Sequence, residues 1–130
     1  MKVYEYSSMG KRKYQEDRLL IKDTLFLVSD GMGGHPHGDR AADSVIDFFN
    51  KIDWSKGTPL QLMSEAIRNA DKECRSHRDE RGATATAAYI YIDKKYVDIC
   101  HVGDSRAYMI TNSGTEIRRL TQDHASPFGY

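Results

Sequence analysis

The chain has 130 residues, and its 19 Lys and Arg balance 19 Asp and Glu. That length allows one domain with a real core, and zero net charge excludes a general nucleic-acid binder, which carries a basic excess. Hydrophobic content of 39% with 29% charge excludes disorder, and no apolar stretch reaches the length of a membrane span.

The first residues, Met1-Lys2-Val3-Tyr4-Glu5-Tyr6, lack the apolar centre of a signal peptide. Cys74 and Cys100 have no ligand-like spacing, so reduced thiols and a cytoplasmic location are expected. Residues 3–8 alternate apolar and polar side chains and predict a strand. Residues 18–22 and 25–29 predict a hairpin turning at Lys22-Asp23-Thr24. The apolar run 25–28 predicts a buried strand, and Asp30 follows where the chain leaves it. Three glycines lie within the next four residues, and glycine lets a backbone approach a ligand closely. A carboxylate beside such a backbone suits a hard cation; the plainer alternative is an acidic turn.

Ala42, Val45, Ile46 and Phe49 fall at helical spacing and mark one buried face. Thr58 as N-cap, Pro59 at the first helical position and Gln61 completing a capping box start a second helix. Its apolar stripe is Met63, Ala66, Ile67, Ala70 and Cys74, read as core packing. Residues 84–92, 97–101, 107–110 and 116–120 then predict strands, with turns at Asp93-Lys94-Lys95, Gly103-Asp104 and Asn112-Ser113-Gly114. Strands, two helices and a strand meander predict an α+β fold with helices packed on antiparallel sheet.

Several strings stand in a telling order. They are Arg12-Lys13-Tyr14-Gln15-Glu16-Asp17, Asp30-Gly31-Met32-Gly33-Gly34-His35, Gly82-Ala83-Thr84-Ala85-Thr86, Val102-Gly103-Asp104-Ser105-Arg106-Ala107-Tyr108 and Thr121-Gln122-Asp123-His124. In this order they resemble the N-terminal motifs of the metal-dependent protein phosphatases, the type 2C Ser/Thr phosphatases, in their bacterial form. The resemblance runs from about Gly10 to Ser126. It implies an αββα sandwich, of which this chain supplies one helical pair and about half of the two antiparallel sheets. The activity implied is hydrolysis of phosphoserine and phosphothreonine in proteins by water activated at a two-metal centre of Mn²⁺ or Mg²⁺.

Carried over residue by residue, Asp30 matches the carboxylate bridging the two metals. Gly31 matches the residue whose backbone carbonyl ligates one of them. Glu16 and Asp17 match acidic residues that hold the site mainly through water on the metals. Arg12 matches the phosphate-binding arginine, whose guanidinium makes two parallel hydrogen bonds that a lysine cannot reproduce. Asp104 matches a ligand for a third, weaker metal. Ser105 and Arg106 are expected to support their turn, and Asp123-His124 to play a structural role or to support the ligands. Animal-type members carry a histidine, proposed as general acid, where this chain has Met32, leaving water on the metals to serve.

The family's domain continues past this chain and supplies two further aspartates to the metal pair. The expectation is therefore a phosphatase domain over 1–130 that is incomplete at its C-terminus and inactive alone. A Ser/Thr kinase is the expected cognate partner, with neither nucleic acid nor membrane bound. Two alternatives stay open. One is a non-catalytic, partner-binding remnant; the other is a different metal hydrolase built on Asp30, His35 and His37.

Overall fold

Pairing of the strands is antiparallel throughout. The computed structural model describes residues 1–32 and 37–124. Strand β1 (Asp17–Lys22) folds back on β2 (Leu25–Asp30), with Lys22 opposite Leu25 and Asp23 at φ 55° in the turn. Asp tolerates that left-handed backbone better than most residues. Helices α1 (Gly38–Asn50) and α2 (Pro59–Ser76) follow. Next come β3 (Ala85–Tyr91), β4 (Tyr96–Val102) and the hairpin β5 (Tyr108–Thr111) with β6 (Glu116–Arg119). The main sheet runs β1-β2-β3-β4, and β5-β6 forms a second, two-stranded sheet.

The helices start and pack as their sequences dictate. At α2 the Thr58 side chain accepts from the Gln61 N–H, and the Gln61 side chain accepts from the Thr58 N–H. Ala41, Ala42, Val45 and Phe49 of α1 are buried, as are Leu62, Met63, Ala66 and Ala70 of α2. They close on Leu25 and Leu27 of β2 and on Ala85 and Ala87 of β3 to form the core. The two alanines give the strands a low surface on which the helices seat closely.

Two expectations change. Residues 3–8 form no strand: among the described residues no strand lies beside them, and Tyr4 and Tyr6 are almost fully exposed. A strand needs a hydrogen-bonded neighbour, which alternation alone does not provide. The run 25–28 is half-buried instead of buried, because only one sheet face carries helices. Leu25 and Leu27 face the core, while Val28 is 46% exposed. The later strands all begin and end within a residue of expectation.

Candidate active site

The register of the first hairpin sets two carboxylates opposite each other. Asp17 opens β1, Asp30 closes β2, and they are Cα partners. Directly opposed residues project to the same face. Counting in twos, that face also carries Leu19, Ile21, Phe26 and Val28, so it is the face without helices.

Asp30 feels its surroundings strongly. Its pKa is raised from 3.8 to about 6. Burial contributes most; the hydrogen bond to Asp17, the charge of Asp17 and the charge of Asp104 push the same way, while Arg12 opposes them. Thus Asp17, Asp30, Asp104 and Arg12, drawn from four places in the chain, act on one spot. Arg12 itself is exposed, on a turn closed by its N–H donating to the Met9 carbonyl at 3.3 Å.

Glu16 and Gly31 are joined by their backbones. The Gly31 N–H donates to the Glu16 carbonyl at 3.0 Å, the Met32 N–H to the Gly82 carbonyl at 2.9 Å, and the Thr84 N–H to the Asp30 carbonyl at 2.9 Å. The end of β2 is therefore held from both sides. Gly31 is buried, and a Cβ there would run into the Gly38 carbonyl and the Glu16 backbone. The Glu16 carboxylate lies against Gly38, the first residue of α1, where the helix end favours a negative charge. So the structure places Glu16 at the start of α1.

The segment carrying Asp104 joins β4 to β5. Gly103 has φ 103°, and a Cβ there would come within 2.7 Å of the Thr84 methyl. Its N–H donates to His124 Nδ1 at 3.1 Å, and its carbonyl accepts from the His124 N–H at 3.0 Å. Arg106 makes a two-pronged pair with Asp123, Nε to Oδ1 at 3.0 Å and Nη2 to Oδ2 at 2.7 Å. That pair holds the Asp123 carboxyl below its ordinary value. Asp123, His124 and Arg106 thus support the turn, as expected. His101 stacks on His124 with ring centroids 4.7 Å apart.

His37 caps α1 with a left-handed backbone, φ 61°, and its Nε2 lies 3.7 Å from Asp79 Oδ2. His35 lies outside the described residues, as do Gly33 and Gly34 of the same loop and the chain end from residue 125. Among the described residues no three His, Cys, Asp or Glu side chains converge tightly enough to hold an ion by themselves. The oxygen-only character of Asp17, Asp30 and Asp104 nevertheless fits a hard divalent ion, which would relieve the like-charge crowding around Asp30.

Sequence reasoning assigned no role to two residues that organise this site. Arg18 donates from Nη1 to the Gln15 and Asp17 carbonyls at 2.7 and 3.1 Å, and from Nε to Asp43 of α1 at 2.8 Å. Thr84 bonds both β2 and the turn after β4. Thr84 lies in the 82–86 motif, but its bonds to Asp30 and Ser105, like that of Arg18 to Asp43, span 21 to 54 residues and no local pattern shows them. Among the described residues no helix is long and apolar enough to cross a membrane.

A family model described as Protein phosphatase 2C matches residues 5–126. The serine/threonine phosphatase stp of Listeria innocua is 31% identical over 115 residues, covering 80% of this chain and 44% of that protein. The serine/threonine protein phosphatase PstP of Mycobacterium tuberculosis is 27% identical over 118 residues, 86% of this chain and 23% of its own length. Among solved structures, a bacterial serine phosphatase aligns with a TM-score of 0.75 at 28% identity, over 92% of this chain and 54% of that one. The PstP catalytic domain, solved in complex with two manganese ions, aligns at 0.71 and 26% identity, over 88% and 51%. The chain spans less than half the length of the Listeria relative. The match takes in every motif from Arg12 to Asp123, on a fold shared with solved members: this chain belongs to the protein phosphatase 2C family.

Proposed function

We propose that this chain carries part of the active site of a protein serine/threonine phosphatase that depends on Mn²⁺ or Mg²⁺. The observation that carries the reading is the meeting of Asp17, Asp30 and Asp104 charges at one carboxyl, with Arg12 beside them. Family membership and the two manganese ions of the related PstP structure support it.

Asp30 would bridge two ions, the Gly31 carbonyl would ligate one, and Glu16 and Asp17 would hold them through water. Asp104 would serve a third ion. When bound, the ions supply an activated water and neutralise charge on the phosphoryl group. The chain's own work is positional and electrostatic. Arg12 grips phosphoryl oxygens with parallel N–H groups. Asp30, titrating at about 6, is ionised at neutral pH and accepts cations once its proton leaves. The strand pairing keeps Asp17 and Asp30 in register, so the donors need little reorganisation on loading.

Substrates of this reading are phosphoserine and phosphothreonine proteins, and the genetic counterpart is a Ser/Thr kinase. The 130-residue chain spans less than half the length of the Listeria relative and is not expected to turn over substrate alone. The test is hydrolysis of a phosphothreonine peptide by the complete gene product, with and without Mn²⁺. Asp30→Asn should abolish metal-dependent hydrolysis and Arg12→Ala should raise KM, whereas His37→Ala should leave most activity. Wild-type rates in Asp30→Asn, with loss in His37→Ala, would instead favour a different metal hydrolase.

A further inference from the structure

A single threonine stands between Asp30 and the turn that carries Asp104. Thr84, 9% exposed, accepts the Asp30 N–H on Oγ1 at 3.0 Å, and its own N–H donates to the Asp30 carbonyl at 2.9 Å. Both polar backbone groups of Asp30 therefore end on Thr84. The same Oγ1 lies 2.6 Å from Ser105 Oγ, a hydroxyl pair in which either group can donate. On its other side the Thr84 methyl abuts Gly103, leaving no room for a side chain there. Asp104 is thus flanked by two residues that both rest on Thr84.

Neighbouring hydroxyls extend the arrangement. Ser29 donates to the Thr84 carbonyl at 2.6 Å, and Thr86 Oγ1 donates to the Ser105 carbonyl at 2.9 Å. Ser29 and Thr86 are buried, at 1% and 6% exposure. A buried and satisfied hydroxyl chain is stiff, since each bond polarises the next and an unmade bond is costly.

We propose that Thr84 is a positioning residue for the phosphatase site: its hydroxyl ties the end of β2 to the Gly103–Ser105 turn and so sets Asp104 relative to Asp30. The proposal rests on the metal-dependent reading above, but the tie exists without metal and can be read without it. It divides the work of one side chain, the methyl seating Gly103 and the hydroxyl joining Asp30 to Ser105.

The exchange experiment uses the 130-residue chain. Thr84→Val keeps the shape and removes the hydroxyl; Thr84→Ser keeps the hydroxyl and removes the methyl. In the metal-free protein, NMR amide exchange at Asp30 should quicken about tenfold in Thr84→Val, the worth of one buried hydrogen bond, and return to near wild type in Thr84→Ser. Amide resonances of residues 103–105 should move with it. Mn²⁺ titration followed by electron paramagnetic resonance should show weaker binding in Thr84→Val and recovery in Thr84→Ser. Unchanged Asp30 exchange, or a perturbation that stops short of residues 103–105, would overturn the tie. Equal Mn²⁺ affinity in wild type and Thr84→Val would overturn its role toward the metal. The Mn²⁺ arm uses the complete gene product, where a wild type that binds no Mn²⁺ would count against the phosphatase reading, and the exchange data on the 130-residue chain would still decide the tie. Should Thr84→Val fail to fold, Ser105→Ala removes the other hydroxyl. Shifted Asp30 and Asp104 amides would then support the proposal, and unmoved ones would overturn it.

Discussion

Asp17 and Asp30 face each other across the first hairpin, Cα partners at the mouth of β1 and β2, and share a hydrogen bond that only a protonated carboxyl can donate. Two like charges in that position destabilise the metal-free fold once both ionise. Asp30 is raised in the folded state, from 3.8 to about 6. Its contribution is fully present below 3.8 and is lost as pH rises through about 6. Asp30→Asn should therefore make the metal-free chain more heat-stable than wild type at about pH 7.5, with the advantage vanishing below about pH 4. Thermal melts at the two pH values check this, and a variant less stable than wild type at neutral pH would sink it.

Arg18 holds the Gln15–Asp17 backbone with one guanidinium prong and α1 with another. Its two attachments differ in weight. The Asp43 end is an exposed pair, so Asp43→Ala should cost no more than about 1 kcal/mol. Arg18→Ala also strips donors from two carbonyls and should cost roughly 1–2 kcal/mol more. Chemical denaturation of the two variants gives the difference, and equal losses would refute it.

His101 is poised to sense acid. Burial lowers its pKa from 6.5, the charge of the stacked His124 adds to that, and Asp123 opposes both. Among the described residues its buried Nδ1 has no hydrogen-bond partner. A lowered histidine contributes stability above pH 6.5 that is lost as pH falls through its folded value, because the unfolded chain takes the proton first. His101→Phe keeps a flat ring on His124 and removes the titration. The melting temperature of wild type should drop more steeply than that of the variant on acidification from about pH 7.5 to about pH 5.5. Parallel curves would exclude His101 as the cause.

Away from the site, Phe49 and Thr58 separate core from cap. Phe49 is 1% exposed in the helix–sheet core, so Phe49→Ala should cost about 3–5 kcal/mol. Thr58→Ala removes one half of the capping box and should cost about 1 kcal/mol. Urea denaturation ranks the two. Neither should change the Asp30 amide environment by NMR, since both lie in the helical layer.

Much of this was legible one residue at a time. The Thr58-Pro59-Gln61 cap, the α1 stripe through Val45 and Phe49, and the turn at Asp23 follow from local rules, since their partners are a few residues away. The motif around Asp30 was legible as chemistry for the same reason, since a carboxylate at a strand end beside glycine is a local pattern, whereas Asp104 was marked as a ligand only by the family resemblance. Alternation in residues 3–8 misled, because it shows that a segment suits a strand and says nothing about a neighbour.

Local composition and pattern were thus enough to name the helices, most strands and Asp30 as a candidate ligand, while Asp17 and Asp104 entered through the family resemblance. Which of them meet was a matter of tertiary structure. Strand register placed Asp17 opposite Asp30, and the sheet's one-sided helical cover left both on the other face. The Thr84 hydroxyl, 54 residues from Asp30 and 21 from Ser105, bonds to both. Contacts at such separations depend on chain folding and packing, which no window of sequence encodes.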